Sequence, residues 1–277
     1  MTSDSIPRSG TKVTVPSLAQ RKLDGPALAM VTAYDATFAS IIDEAGVDLI
    51  LVGDSVATVM QGQRTTLGVS MDQMEYHVRM VAAARPRALV VGDLPFGSYQ
   101  SSTKDAVDNA VRLVRAGAEV VKLEGGIHVA EAIGAIVRAD IPVMGHIGLT
   151  PQSYHRMGGN KIQGRSSGEG AGTSDRLLED AHAVDIAGAC AMVIEGVPAE
   201  LAREITAKSS VPTIGIGAGV HCDGQVLVMH DLLGLSPRAF SFAKAYANLR
   251  ETSLGAVRDY VDQVRTRTWP DDEHSFH

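Results

Sequence analysis

Short runs of aliphatic residues recur along this 277-residue chain, and a longer amphipathic stretch follows most of them. Eight runs have the length of a β-strand and cover residues 29–33, 48–53, 88–92, 118–123, 142–146, 190–195, 212–215 and 226–229. Most are continuous in Val, Ile and Leu rather than alternating, which is typical of parallel strands that are buried on both faces. The pattern therefore predicts an α/β fold built from repeated strand–helix units.

Helical spacing of apolar residues is seen between the strands, for example over residues 37–45, 104–116, 129–139 and 176–187. Several of these stretches end in Ala-Gly, as at Ala116-Gly117, and a glycine just past the last helical residue is a common left-handed cap. Eight strand–helix units fit the roughly 250 residues of one barrel. We therefore predict a single (β/α)8 TIM-barrel domain over residues 1–277. An open, doubly wound sheet is the alternative.

Three segments need an interpretation other than the alternation of strands and helices. Residues 1–24 precede the first strand, and we expect them to form an N-terminal arm or an oligomer contact. Residues 151–172 follow the fifth strand and are rich in Gly, Ser and other polar residues, which favours a lid loop over an incidental insertion. The run Gly215-Ile216-Gly217-Ala218-Gly219 resembles a phosphate-binding loop by composition, but close backbone approach in a tight turn explains it as well.

Charge and composition exclude several classes of function. The formal net charge is -7, and the chain lacks the basic blocks that bind nucleic acids or anionic membranes. The first ten residues are polar, unlike a signal peptide, and no apolar stretch approaches the roughly 18 residues of a membrane span. Cys190 and Cys222 fit neither a disulfide framework nor a thiolate metal site. We expect a cytoplasmic protein without a nucleic-acid or membrane partner.

Acidic residues stand directly after four of the predicted strands. They are Asp54, Asp93, Glu124 and Glu195. Because the carboxyl ends of all the strands meet on one face of a barrel, we expect these carboxylates to share one bowl. Their repulsion and desolvation would then need a cation, a proton or water to offset them. Any single one of them could instead be a helix N-cap or a first-turn residue.

Oxygen ligands without a His or Cys cluster favour Mg²⁺ or Mn²⁺ over zinc. Magnesium usually takes one or two carboxylates and keeps other positions for water or substrate oxygens. We predict that Asp54 and Asp93 bind the metal directly and that Glu124 binds it directly or through a water.

Three further residues of the bowl carry a charge or a hydrogen-bond donor. Lys122 stands two residues before Glu124, so both side chains point the same way, and a buried lysine needs an anion as its partner. Ser55 follows Asp54 and is predicted to donate to a bound carboxylate or carbonyl. His146 ends the fifth strand and is predicted to bind substrate as a neutral donor, the alternative being a satisfied histidine at the barrel rim.

Seven motifs spread over the chain make it resemble one enzyme family. They are TAYD (32–35), VGDS (52–55), DLPF (93–96), KLEGG (122–126), GHIGLTPQ (145–152), GIGAG (215–219) and DGQ (223–225). With the closing residues EHSFH (273–277), they resemble the ketopantoate hydroxymethyltransferases. One departure is Asn160, which stands where the family leads us to expect an aromatic residue in the lid.

The resemblance implies a barrel enzyme that adds a one-carbon unit from 5,10-methylenetetrahydrofolate to 3-methyl-2-oxobutanoate with one Mg²⁺ per subunit. The product would be 2-dehydropantoate (ketopantoate), in the first step of pantothenate and coenzyme A synthesis. The family's magnesium ligands match Asp54, Asp93 and Glu124, its keto-acid contacts match Asp54, Ser55, Asp93 and Lys122, and its proton acceptor matches Glu195. The family also implies a homodecamer.

Two other functions stay open from the sequence. A carbon–carbon lyase of the phosphoenolpyruvate-mutase type would use a similar barrel and metal site without folate. A barrel that only binds a keto acid or serves as an assembly scaffold is the other possibility, although four convergent carboxylates argue against it.

Overall fold

The computed structural model describes residues 10–168, 172–237 and 240–276. Eight parallel strands close into a barrel, in which each strand pairs with the next and β8 pairs with β1. The strands are β1 Leu28–Thr32, β2 Leu49–Val52, β3 Leu89–Asp93, β4 Val120–Lys122, β5 Val143–Gly148, β6 Ala191–Glu195, β7 Thr213–Ile216 and β8 Gly224–Leu227. This closed order confirms the predicted TIM barrel and excludes the open sheet. The eight predicted strands are all present, and no bound moves by more than two residues.

One helix precedes β1, and each connection between successive strands from β1 to β7 contains at least one helix. These helices are α1 Val15–Asp24, α2 Ala36–Glu44, α3 Val56–Val59, α4 Met71–Ala83, α5 Thr103–Ala116, α6 Ala130–Arg138, α7 Tyr154–Met157, α8 Ser174–Ile186 and α9 Ala199–Lys208. Their ends follow from local sequence: the Asp35 side chain accepts the N–H of Phe38 at the start of α2, and the Ser102 hydroxyl accepts that of Asp105 at the start of α5. Gly117 ends α5 in the left-handed conformation, as predicted.

The interior of the barrel is apolar toward its amino-terminal end. Every second residue of a strand points inward, and the inward set includes Leu28, Met30, Leu49, Leu51, Leu89, Val91, Val120, Met144, Ala191, Val193, Ile214 and Val226. Val13 and Leu18 belong to the same buried cluster. The segment that contains α1 therefore covers the amino-terminal end of the barrel. Residues 1–9 of the predicted arm lie outside the described residues.

Ion pairs hold this segment to residues that directly precede the strands. Arg21 lies 3.3 Å from Asp48 before β2, and Lys22 lies 2.9 Å from Asp223 before β8. Both pairs are partly buried, since none of the four side chains is more than 29% exposed. The fully buried Leu18 adds an apolar contact to the attachment of α1.

We expect Leu18→Ala to lower the free energy of unfolding by about 2–5 kcal/mol, because the substitution removes a fully buried side chain from the core. Leu23→Ala is the matched control on the same helix, since Leu23 is 81% exposed, and it should change stability by less than about 0.5 kcal/mol. Urea unfolding of both variants measures the difference. Equal losses would show that α1 is not anchored through Leu18.

Contacts divide the chain into two compact units, one up to Val228 and one from Met229 onward. The second unit contains α10 Met229–Leu232 and α11 Leu249–Thr266, and the Tyr246 N–H donates to Leu232 O within it at 2.8 Å. All the site residues predicted from the sequence lie in the first unit. The single-domain organisation over residues 1–277 stays a prediction. Among the described residues, no helix combines the length and the apolar character needed to cross a membrane.

Candidate active site at the carboxyl end of the barrel

The charged residues continue the inward-facing register of the apolar core. Asp93 follows Leu89 and Val91 in β3, Lys122 follows Val120 in β4, His146 follows Met144 in β5, and Glu195 follows Ala191 and Val193 in β6. Because the register repeats every two residues, the interior changes from apolar to charged toward the carboxyl ends of the strands. The predicted residues therefore lie at one end of the barrel: Asp54, Asp93, Lys122, Glu124 and His146 are buried, and Ser55 and Glu195 are half-buried.

Lys122 is paired with the anion that the sequence leads us to expect, and that anion is Asp93. The Lys122 Nζ atom lies 2.7 and 2.8 Å from the two Oδ atoms of Asp93, its register partner on β3, and 4.0 Å from Glu124 Oε1. Burial alone would lower the pKa of Lys122, but the negative charges of Asp93, Glu124 and Asp54 outweigh it and raise the pKa. Lys122 is therefore a permanently charged ammonium inside the barrel.

His146 differs from the neutral donor predicted from the sequence. Its Nδ1 lies 3.5 Å from Glu124 Oε1 and its Nε2 lies 3.3 Å from Glu195 Oε2, distances of ion pairs that are not aligned as hydrogen bonds. Burial and Lys122 lower the pKa of His146, whereas Glu124 and Glu195 raise it, and the balance brings it to about 9. The imidazole is therefore a cation at neutral pH, because two carboxylates flank it.

We expect the stability of the metal-free protein to fall as the pH rises from about 6.5 to about 9. The folded-state pKa of His146 is raised, so its stabilising contribution is complete below the unfolded pKa near 6.5 and is lost as the pH rises through the folded pKa. A shift of this size corresponds to a free energy on the order of 3 kcal/mol. His146→Asn should lose this part of the slope, and His221→Asn, at an exposed position, should keep it. Urea unfolding across this pH window measures both, and a wild-type slope in His146→Asn would contradict the assignment.

Asp54 and Asp93 carry more negative charge than their neighbours neutralise. The Asp54 N–H donates to Asp93 Oδ2 at 3.2 Å, and Asp54 Oδ2 accepts from Gln152 Nε2 at 3.0 Å. Burial, followed by the charges of Asp93 and Glu124, raises the pKa of Asp54 well above its usual range. Burial and Glu124 likewise raise the pKa of Asp93, although Lys122 opposes the shift. A further cation beside these two carboxylates would relieve the repulsion.

The residues of the cluster fit a magnesium ion. Four carboxylates (Asp54, Asp93, Glu124 and Glu195) face two cations (Lys122 and His146). Within the described ranges, no three or more His, Cys, Asp or Glu side chains are arranged so that they could hold a metal between them. Magnesium does not need such a cage, because it takes one or two carboxylates and completes its octahedron with water. Asp54 accepts one side-chain hydrogen bond, from Gln152. Lys122 already contacts both oxygens of Asp93, and His146 and the Gln152 N–H engage Glu124.

Ser55 is placed at the open edge of the cluster by Tyr34, a residue of the TAYD motif. The Tyr34 hydroxyl lies 2.9 Å from Ser55 Oγ, and the Tyr34 carbonyl lies 2.8 Å from His77 Nδ1. A Cβ atom at Gly53 would lie 2.9 Å from Ser55 Oγ, so the glycine before Asp54 leaves room for the hydroxyl. Ser55 is therefore held next to Asp54 in a position where its hydroxyl can meet a ligand.

Sequence reasoning assigned no role to two buried residues that join the site, Tyr99 and Gln152. The Tyr99 hydroxyl accepts the Glu124 N–H at 3.1 Å and donates to Gln152 Oε1 at 2.7 Å. Burial and the charge of Glu124 raise the pKa of Tyr99 well above 10, so the phenol keeps its proton. Gln152 is the last residue of the GHIGLTPQ motif, and that motif could have indicated a role for it in the site. Tyr99 lies in a Ser-rich loop, where no sequence pattern indicates such a role.

A cleft of about 540 Å³ lies at the end of β5. Its lining includes Gly148, residues 156, 157, 163, 168 and 172 of the predicted lid, and one face of α8. Gly148 has a φ of 92°, and a Cβ atom there would lie 2.2 Å from Glu195 O, so only glycine lets β5 approach Glu195 this closely. Residues 169–171 of the predicted lid lie outside the described residues, and its role as a lid stays a prediction.

Close backbone approach accounts for the Gly-rich run after β7. Gly217 and Gly219 have positive φ angles, and a Cβ atom at Gly219 would lie 2.5 Å from Ala199 Cβ on α9. The Gly219 carbonyl also accepts from Gln225 Nε2 at 2.9 Å. The structure thus favours the tight-turn explanation over a phosphate-binding loop.

A family model described as ketopantoate hydroxymethyltransferase matches residues 12–272. The chain belongs to this family. Its relatives include the 3-methyl-2-oxobutanoate hydroxymethyltransferases of Geobacter metallireducens, 52% identical over 267 residues, and of Moorella thermoacetica, 53% identical over 268 residues. Each alignment covers 96% of this chain and 98% of the relative. Membership confirms the family predicted from the sequence, and with it the prediction of an enzyme that is a hydroxymethyltransferase.

Solved structures of other enzymes share the fold of this family member at low identity. Phosphonopyruvate hydrolase is 14% identical with a TM-score of 0.61, and the match covers 97% of this chain and 92% of that one. 2,3-Dimethylmalate lyase, a member of the phosphoenolpyruvate mutase/isocitrate lyase superfamily, is 16% identical with a TM-score of 0.59, over 96% and 93% of the two chains. These likenesses show the barrel alone. The sequence relationship, rather than the fold, distinguishes the chain from the lyases.

Proposed function

We propose that this chain transfers the one-carbon unit of 5,10-methylenetetrahydrofolate to 3-methyl-2-oxobutanoate in a Mg²⁺-dependent reaction. The product is 2-dehydropantoate (ketopantoate), and the reaction is the first step of pantothenate and coenzyme A synthesis. Relatives about half identical to the chain bear the name 3-methyl-2-oxobutanoate hydroxymethyltransferase, which supports the substrate. The observation that carries the proposal is the buried cluster of acidic groups around Lys122 and His146.

Asp54 and Asp93 are the proposed direct ligands of Mg²⁺, and Glu124 is proposed to bind it directly or through a water. When bound, the ion supplies a divalent charge beside the keto-acid oxygen that becomes negative as the C3 proton leaves. The raised pKa of Asp54 supports this assignment, because a cation would relieve the repulsion that Asp93 and Glu124 exert on this buried carboxylate. At Asp93, the ion would share the carboxylate with Lys122.

Lys122, Ser55 and His146 are the proposed contacts of the keto acid, together with Asp54 and Asp93. The Lys122 ammonium balances a substrate carboxylate, and the Ser55 hydroxyl, held by Tyr34, donates to a substrate oxygen. Both side chains are oriented before the substrate arrives, because Asp93 holds Lys122 and Tyr34 holds Ser55. Preorganised donors and charges of this kind stabilise the negative charge of the transition state without reorganising during the reaction.

Glu195 is the proposed acceptor of the C3 proton. It is half-buried, unlike the other three carboxylates, and its Oε2 lies 3.3 Å from His146 Nε2. The carboxylate takes the proton, and the deprotonated carbon then forms a bond to the methylene carbon of the folate. Both bonds from that carbon to the folate nitrogens break, and a water supplies the hydroxyl group of the product. The C3 proton and the remaining water proton go to the two folate nitrogens, which balances the transfer. Proton transfer to a positioned group typically accelerates a reaction by about 10²–10⁴-fold.

A cytoplasmic homodecamer without a nucleic-acid or membrane partner completes the proposal. The family resemblance supports the assembly, and the net charge of -7 is consistent with the absence of polyanionic partners. Sedimentation of the purified protein measures the oligomeric state.

Product analysis tests the proposed function. The purified protein should form ketopantoate only when 3-methyl-2-oxobutanoate, methylenetetrahydrofolate and Mg²⁺ are all present. Chelation of the metal should stop the reaction, and added Mg²⁺ should restore it. Cleavage of a keto acid in the absence of folate would identify a lyase instead. Binding of the keto acid without any product would identify a non-catalytic barrel.

A further inference from the structure

Gln152 has every polar atom of its side chain engaged inside the carboxylate cluster. Its Nε2 donates to Asp54 Oδ2 at 3.0 Å and to Leu94 O at 2.9 Å. Its Oε1 accepts from Tyr99 Oη at 2.7 Å and from Gln100 Nε2 at 3.2 Å. A neutral amide that is buried and fully bonded in this way is locked in one orientation.

The direction of these hydrogen bonds is fixed from the loop after β3. The Gly97 N–H donates to Gln100 Oε1 at 2.7 Å, so the Nε2 group of Gln100 is the end that points to Gln152. Gln152 consequently presents its oxygen to Gln100 and its NH₂ group to Asp54. The Leu94 carbonyl, which can only accept, requires the same orientation.

We propose that Gln152 is a positioning residue that sets the rotation of the Asp54 carboxylate. The amide binds Oδ2, which leaves Oδ1 as the oxygen available to the cation, so the inference rests on the metal site of the proposed function. Without the amide, Asp54 would lose the hydrogen bond from Gln152 that holds its buried carboxylate, which Asp93 and Glu124 repel. The Gln152 N–H also donates to Glu124 Oε2 at 2.9 Å, so one residue orients two of the three proposed metal carboxylates.

The peptide N–H is present in every variant, and the contact with Glu124 is therefore kept while the side chain is changed. Gln152→Met keeps the approximate shape and removes the donor, and we expect it to weaken Mg²⁺ binding about tenfold. Gln152→Leu removes both the donor and the acceptor of the side chain, and we expect a similar loss, about tenfold. Gln100→Met removes only the outer link at an exposed position and should weaken binding about two- to threefold.

Thr206→Val is the matched control for loss of a buried hydrogen bond. Thr206 Oγ1 donates to Ala202 O at 2.8 Å on α9, and the residue is not a member of the carboxylate cluster. This variant should lower thermal stability to a similar extent as Gln152→Met but bind Mg²⁺ like the wild type. In activity assays, the Gln152→Met defect should appear as a raised metal requirement, with kcat largely restored at saturating Mg²⁺.

Calorimetric titration of each full-length protein with Mg²⁺, without keto acid or folate, measures the affinities, and thermal unfolding measures stability. Weaker Mg²⁺ binding in both Gln152 variants, with unchanged binding in Thr206→Val, supports the proposal. Wild-type Mg²⁺ affinity in the two Gln152 variants and in Gln100→Met would reduce Gln152 to a structural role and overturn it. Failure of the metal site itself gives a different result, because Asp54→Asn would then bind Mg²⁺ as tightly as the wild type.

Discussion

The Glu195→Gln protein is expected to lose exchange of the C3 hydrogen of 3-methyl-2-oxobutanoate in deuterated water by about 10²–10⁴-fold. In the proposed reaction, exchange requires the keto acid, Mg²⁺ and a proton acceptor but no folate, so it isolates the first chemical step. The glutamine amide cannot accept the proton, whereas the groups proposed to bind the keto acid and the metal are unchanged. Binding of both ligands should therefore persist. Proton NMR of the C3 position follows the exchange, and calorimetry follows the binding.

Asp54→Asn is the control that separates the base from the metal site, because it should weaken ligand binding as well as exchange. Exchange at the wild-type rate in Glu195→Gln would remove Glu195 from the mechanism. In that case, a water would be the next group to test as the base, because the raised pKa of His146 leaves its imidazole already protonated.

Asp54→Asn is expected to change activity and stability in opposite directions. At limiting Mg²⁺, activity should fall more than about 100-fold, because loss of a direct ligand exceeds the 10- to 100-fold effect of an outer partner. The stability of the metal-free protein should rise, because a neutral amide removes a buried charge that is repelled by Asp93 and Glu124. The asparagine oxygen can still accept from Gln152 Nε2, so the local packing is kept. Activity at varied Mg²⁺ and urea unfolding without metal measure the two effects.

We expect Lys122→Met, unlike Asp54→Asn, to lower the stability of the protein. It leaves the buried carboxylate of Asp93 without its cation, and breaking a buried pair in this way costs about 3–5 kcal/mol. A fall in stability for both variants would show that Asp54 is not under charge repulsion in the folded protein.

The barrel and most of the candidate site could be predicted because both depend on local patterns. Continuous Val, Ile and Leu runs mark buried parallel strands, and a charged residue just after such a run must lie at a strand's carboxyl end. The two-residue period placed Lys122 and Glu124 on one side of β4 without knowledge of the rest of the fold. The magnesium ligands and the base stay predictions, since their roles depend on ligands as well as on position.

Contacts between loops could not be predicted in the same way. Gln152 reaches Asp54 across 98 positions of sequence, through the path that the chain takes after β5. The charge of His146 likewise depends on Glu195 in β6 and on Glu124, which follows β4. For residues 10–24, the sequence indicated a segment before the barrel but not the surface that Leu18 covers.

Closure of the barrel by α1 has a consequence for the order of events in catalysis. Leu18 and its neighbours cover the amino-terminal end, so the buried Asp54, Asp93 and Lys122 are reached from the carboxyl end, past the half-buried Glu195. In the proposed reaction, a metal and a keto acid bound at these buried residues would be covered by the larger folate when it binds at the same end. The metal and the keto acid would then enter before the folate, and the product would leave after it. Steady-state kinetics should consequently follow a compulsory order in which folate binds last and departs first.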